Sequence, residues 1–147
     1  MGTWTTQARM HGAPDHVLEL LTRPEAIARW APFPFEVRGF ERDRLAAGDT
    51  LRVAGVLWGQ RIEFAVEVVV ARGGRLALQA TGPIDLDVEY VAVPLDGGSE
   101  LSATVEVSGR GLIGRMFARA TEAMLAAGAL NTAVGRIADE FDPPLAA

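Results

Sequence analysis

A chain of 147 residues with 49% apolar content suits one domain, residues 1–147, with its own core. Its formal net charge of −5 argues against a general nucleic-acid binder, and the absence of cysteine excludes thiol catalysis, disulfides and thiolate metal sites. All 14 basic residues are arginine, which closes Schiff-base and pyridoxal chemistry.

Residues 3 to 11 form a polar, Thr-rich stretch that reads as a first, partly exposed strand. It lacks the apolar core of a signal peptide, and Glu67 breaks the most apolar run, Phe64 to Ala71, so a soluble cytoplasmic protein with no membrane span is expected. Gly12-Ala13-Pro14 makes a turn with proline at a helix start, and Val17, Leu18, Leu20 and Leu21 give a short helix. Thr22-Arg23-Pro24-Glu25 starts a second helix that ends near Trp30. Ala31-Pro32-Phe33-Pro34 must be extended, because proline restricts both itself and the residue before it. It leads into a strand near Phe35 to Glu41.

From there the chain alternates between apolar and polar residues. Leu51 to Leu57, Gln60 to Val70, Leu76 to Thr81, Ile84 to Val93 and Glu100 to Ser108 read as strands separated by glycine turns, and such short connections imply an antiparallel meander. The inward set is Ile62, Phe64, Val66 and Val68; Leu76 and Leu78; Ile84, Leu86, Val88 and Tyr90; and Leu101, Ala103, Val105 and Val107. The acids Asp85, Asp87 and Glu89, with Thr104 and Glu106, then fall on the solvated face. Gly39 and Gly55 interrupt the inward face of their strands, where a missing side chain permits a bend or bulge.

The last long stretch, Gly111 to Phe141, reads as a single amphipathic helix of roughly 45 Å. At one hundred degrees per residue, Ile113, Met116, Phe117, Ala120, Met124, Ala127, Asn131, Val134 and Ala138 share one face, which must bury against the sheet. That face is small-sided at Ala120 and Ala127, so a cavity between helix and sheet is expected. Asn131, the only asparagine, falls at its centre, and its amide needs a partner from the sheet, a buried water or a ligand.

The order is therefore strand, two short helices, six antiparallel strands and a long C-terminal helix, an α+β arrangement. The segments GAPDHVLELLTRPEAIARWAPF and LAAGDTLRV and the final helix resemble the START/polyketide cyclase-like helix-grip superfamily, which includes START lipid-transfer domains and the birch-pollen allergen. The resemblance implies a curved antiparallel sheet of about seven strands around the C-terminal helix. It also implies a pocket between them for lipids, polyketides or other apolar molecules. It carries over no catalytic residue.

Other local patterns lose to their context. Gly109-Arg110-Gly111-Leu112-Ile113-Gly114 fits G-x-G-x-x-G, yet no parallel strand with an acidic residue follows its helix, so a strand-to-helix turn is the expected reading. His11, Asp15 and His16 are split by Pro14 and the helix start and lack a third ligand of matching spacing, so no metal site is expected. No cofactor is implied. Trp30, Phe33, Phe35 and Trp58 are aromatics suited to a pocket mouth or to the core.

The candidate ligand-contacting residues are Trp30, Phe33, Phe35, Phe64, Leu78, Tyr90, Met116, Ala120, Met124, Ala127 and Asn131. The leading expectation is binding or carriage of a small hydrophobic molecule. Two alternatives stand beside it. A polyketide cyclase/aromatase-type enzyme would use Tyr90, Asn131 or His11 as steering groups. An accessory interaction protein would have a filled core and an exposed apolar patch.

Overall fold

The structure is a computed structural model that describes residues 2–31, 35–57 and 59–141. Seven strands form one sheet in the order β1-β7-β6-β5-β4-β3-β2, each neighbouring pair antiparallel. The strands are β1 (Gly2–Met10), β2 (Phe35–Arg38), β3 (Thr50–Leu57), β4 (Gln60–Arg72), β5 (Arg75–Thr81), β6 (Asp85–Leu95) and β7 (Gly98–Ser108). Between β1 and β2 come α1 (Pro14–Thr22) and α2 (Pro24–Trp30), each with proline in its first turn, where its missing N–H has no partner to lose. The extended stretch expected around Pro32-Phe33-Pro34, and Trp58, lie outside the described residues.

Period-two patterning places the sheet faces. Val66, Val68, Leu76, Tyr90, Leu101, Ala103, Val105 and Val107 are buried on the inner face, with Phe64, Leu78, Leu86 and Val88 packed partly buried against them. The outer face takes the acids: Arg75 Nε donates to Glu89 at 3.0 Å, and Arg110 lies 3.9 Å from Asp85. The register irregularity falls in β4 between Val68 and Val70, while Gly55 stays in register opposite Phe35 of β2. The bulge considered at Gly55 is therefore found instead between Val68 and Val70 of the neighbouring strand.

The C-terminal helical stretch crosses the inner face with one interruption. It runs as α3 (Gly111–Ala126) and α4 (Ala129–Phe141), joined at Ala127 and Gly128. Gly128 has φ 99°, a left-handed conformation in which a Cβ is strained, and its N–H closes the end of α3 by donating to the Leu125 carbonyl. The two non-helical residues reset the phase. In α3 the buried residues are Gly114, Ala118 and Thr121; in α4 they are Leu130, Ala133, Val134 and Ile137. The stripe expected of one uninterrupted helix is kept only in part: Ile113 and Met116 of α3 are exposed although they precede the break, Asn131 of α4 is exposed, and Val134 is buried as expected.

The G-x-G-x-x-G segment makes the close approach between β7 and α3. A Cβ on Gly109 would lie 2.3 Å from the Gly114 carbonyl oxygen, so these glycines let a helix start directly on the strand it follows.

The connection between β2 and β3 is held down at Thr22. Its hydroxyl donates to the Leu18 carbonyl at 2.8 Å and accepts from Arg44 Nε at 3.0 Å, and its carbonyl accepts from the Leu45 N–H at 2.7 Å. Leu45 is thereby buried although it belongs to neither a helix nor a strand. Thr22→Val keeps the shape and removes the hydroxyl. It should lower stability by about 1 kcal/mol, seen in urea unfolding as a lower midpoint at an unchanged slope.

Candidate functional site

Inward-facing strand residues and two groups of helical residues enclose an apolar cavity of about 240 Å³. Val53 of β3, Val66 of β4, Leu78 of β5 and Leu86, Val88 and Tyr90 of β6 form its floor, because each stands on the inner side of its strand. Ile27 and Trp30 of α2 close one side, and Met124 and Leu125 of α3 with Ala129, Leu130 and Ala133 of α4 form the roof. Leu45 from the β2–β3 connection completes the wall. A second apolar hollow of about 150 Å³ adjoins it and shares Val53, Val66, Leu86 and Met124. Side by side they enter the size range of small-molecule sites, roughly 300–1,000 Å³. Larger hollows exist, one of 510 Å³ over Arg52 and Glu67 and one of 410 Å³ beside His11, but charged residues, Arg38, Arg52 and Glu67 in the first and Arg9 and Asp96 in the second, share their linings.

No charged side chain lines the cavity among the described residues. Trp30 Nε1 is used internally, donating to the Leu20 carbonyl at 3.3 Å, and Thr121 of the adjoining hollow donates to the Phe117 carbonyl at 2.9 Å. The Tyr90 ring meets Trp30 edge-on, with centroids 5.6 Å apart and planes at 69°. Burial pushes the Tyr90 phenol above its ordinary value, so it stays neutral. At the rim, Arg29 of α2 pairs with Glu140 of α4 at 2.8 Å, and Arg136 donates to the Ala31 carbonyl at 2.6 Å. These contacts tie α2 to α4 across the cavity edge.

The cavity brings together Trp30, Phe35, Leu78, Tyr90 and Met124, and Phe64 lines the adjoining hollow with Met124. Phe33 lies outside the described residues. Met116, Ala120, Ala127 and Asn131 are not in either lining. Met116 is 64% exposed, and Ala127 sits in the break before Gly128. Asn131 is exposed, and its amide oxygen accepts a hydrogen bond from the Thr6 hydroxyl of β1, which is the sheet partner considered above. His11 lies on the separate hollow at the corner after β1.

Sequence reasoning missed Leu45, Ala129 and Ala133. The two alanines stand at i and i+4, a helical spacing that becomes an inward face only once the break at Gly128 is known. Among the described residues, no group of three or more His, Cys, Asp or Glu is placed to hold a metal ion, and no helix is long and apolar enough to cross a membrane.

No protein-family model matches the chain, and no curated protein matches it in sequence. Solved structures do match its shape. A START superfamily protein from Mycobacterium smegmatis is similar at a TM-score of 0.67 with 15% identity, over 95% of this chain and 99% of that one. Ara h 8.0201 is similar at 0.61 with 12% identity, over 92% and 97%. DynU16, from the dynemicin biosynthetic locus, is similar at 0.61 with 21% identity, over 93% of this chain and 46% of its own. Element order, sheet topology and these likenesses agree: the chain has the α+β helix-grip fold, a seven-stranded antiparallel sheet with two short helices after the first strand and a C-terminal helical stretch packed over it.

Proposed function

We propose that the chain binds and carries a small hydrophobic molecule in the cavity between the sheet and the C-terminal helices. The observation that carries this reading is the lining itself, an apolar wall with no charged side chain among the described residues. A buried water needs about 2–4 polar partners, and this wall offers little beyond one phenol, so an apolar guest suits it better than solvent does. The small residues Ala129 and Ala133 create the space where larger side chains would have closed the core. The likeness to a START superfamily protein and to a protein of a biosynthetic locus fits the same reading at the level of fold.

The cyclase-type alternative draws less support. Of its three steering candidates, only Tyr90 lines the cavity, while Asn131 faces solvent and His11 belongs to another surface. The accessory-protein alternative requires a filled core, which the cavity opposes.

The test is native mass spectrometry of freshly purified protein, repeated after denaturation and extraction. A discrete added mass that is lost on denaturation is expected. A bare polypeptide that also fails to take up added hydrophobic compounds would sink the proposal.

A further inference from the structure

Tyr90 is unlike every other residue in the cavity wall. Its side chain is 95% buried by relative exposure, at 5% accessible. It makes its ring contact with Trp30, and its hydroxyl has no hydrogen-bond partner among the described residues. The hydroxyl is also absent from the polar atoms that are both sealed from solvent and unpartnered, a set that among the described residues contains only Trp4 Nε1. The oxygen is therefore unpaired and not sealed, on a side chain that lines the cavity. The remaining side-chain polar groups of the two linings, Trp30 Nε1 and Thr121 Oγ1, are already spent on backbone carbonyls.

A phenol conjugates one oxygen lone pair into its ring, which makes it a better donor than acceptor. Buried polar groups are almost always paired, so a donor left open in an apolar chamber marks where a ligand acceptor belongs. The charge balance of the wall narrows the ligand further. No arginine or histidine among the described residues lines it, and Arg29 at the rim is engaged with Glu140. A carboxylate or phosphate in this space would be buried without a counter-charge, which is strongly unfavourable.

We infer that the ligand is an uncharged molecule whose compact apolar skeleton carries one hydrogen-bond-accepting oxygen, a ketone or a similar carbonyl compound, recognised by the Tyr90 hydroxyl. This rests on the cavity being the binding site. Neutral carbonyl compounds are selected over hydrocarbons by the phenol and over carboxylates by the absence of any cation.

The experiment uses three probes of bicyclic skeleton, 1-tetralone, tetralin and 1-naphthoate, in calorimetric titrations at pH 7 with the wild type and Tyr90→Phe. The Phe variant keeps the ring against Trp30 and loses only the hydroxyl. It should weaken tetralone about tenfold, as the loss of one hydrogen bond in a dry site requires, while tetralin binds equally or slightly more tightly. Naphthoate should not bind either protein. A reading independent of the variant is the carbonyl stretch of tetralone bound to the wild type, which should fall below its value in alkane, as hydrogen-bonded ketones do.

Tetralone and tetralin shifting together in the variant, or an alkane-like stretch, would assign Tyr90 to packing and overturn the inference while leaving the cavity reading intact. Naphthoate binding as tightly as tetralone would overturn the exclusion of charge. No binding of any probe would overturn the cavity reading and this inference with it.

Discussion

Ala133→Phe should weaken binding of hydrophobic probes by at least about tenfold in Kd, without unfolding the protein. Ala133 is 2% exposed, sits on the inner side of α4 and contributes a methyl group to the cavity roof. A phenyl group on that Cβ projects into open space, where it occupies the volume that a ligand would need. In a close-packed core the same substitution would force neighbours off their rotamers, at about 1–3 kcal/mol or more. Here the void accepts the ring, and the added apolar contact offsets the strain, so thermal stability should stay level or rise. The two readouts together separate the explanations: a core site would lose stability, and a ligand site loses affinity alone. Retained affinity for 1-tetralone with the ring in place would mean that the guest sits elsewhere.

The parts of this architecture that sequence exposes are those governed by local rules. Alternation along Ile62, Phe64, Val66 and Val68 does not depend on any distant residue, so the inner face of the sheet follows from it, and so does the inward position of Tyr90. The helix starts at Pro14 and Pro24 are equally local. The roof of the cavity is different. A helical wheel carries phase from one end to the other, so the break at left-handed Gly128 shifts the buried face of α4 to Leu130, Ala133, Val134 and Ile137, which retains Val134 of the expected stripe and leaves Asn131 outside it. The glycine was visible, but glycine inside a helical pattern is tolerated often enough that the break is decided by packing. Leu45 lies further from reach. It has no periodicity around it and is buried through the backbone bond from its N–H to the Thr22 carbonyl. Trp30, Phe35, Leu78 and Tyr90 line the cavity because each lies on an element whose local phase survives, and Met124 joins them from α3, where the expected Ile113 and Met116 are exposed.

The phase of α4 is itself open to a direct test, and it carries the second large expected effect. Ile137→Ala should lower stability by about 2–5 kcal/mol, whereas Asn131→Ala should change it by no more than about 0.5 kcal/mol. Ile137 is fully buried beneath α4, the helix that lies over β1 and also meets α2 and β7, so its loss leaves a hole that a sheet on one side and a helix on the other cannot both collapse to fill. Asn131 faces solvent, and its bond to Thr6 is exposed, so water replaces what alanine removes. For a chain of this size each kcal/mol moves the thermal midpoint by roughly 2–4 °C, which makes the difference between the two variants easy to read. One uninterrupted helix from Gly111 to Phe141 predicts the opposite order, because it would bury Asn131 and turn Ile137 toward the edge. The reverse order, with Asn131 costly and Ile137 nearly neutral, would favour that uninterrupted helix, move Ala133 off the cavity wall and withdraw the roof on which ligand binding depends. The expected order, with Ile137 costly and Asn131 neutral, fixes α4 in the phase that places Ala129, Leu130 and Ala133 above Tyr90.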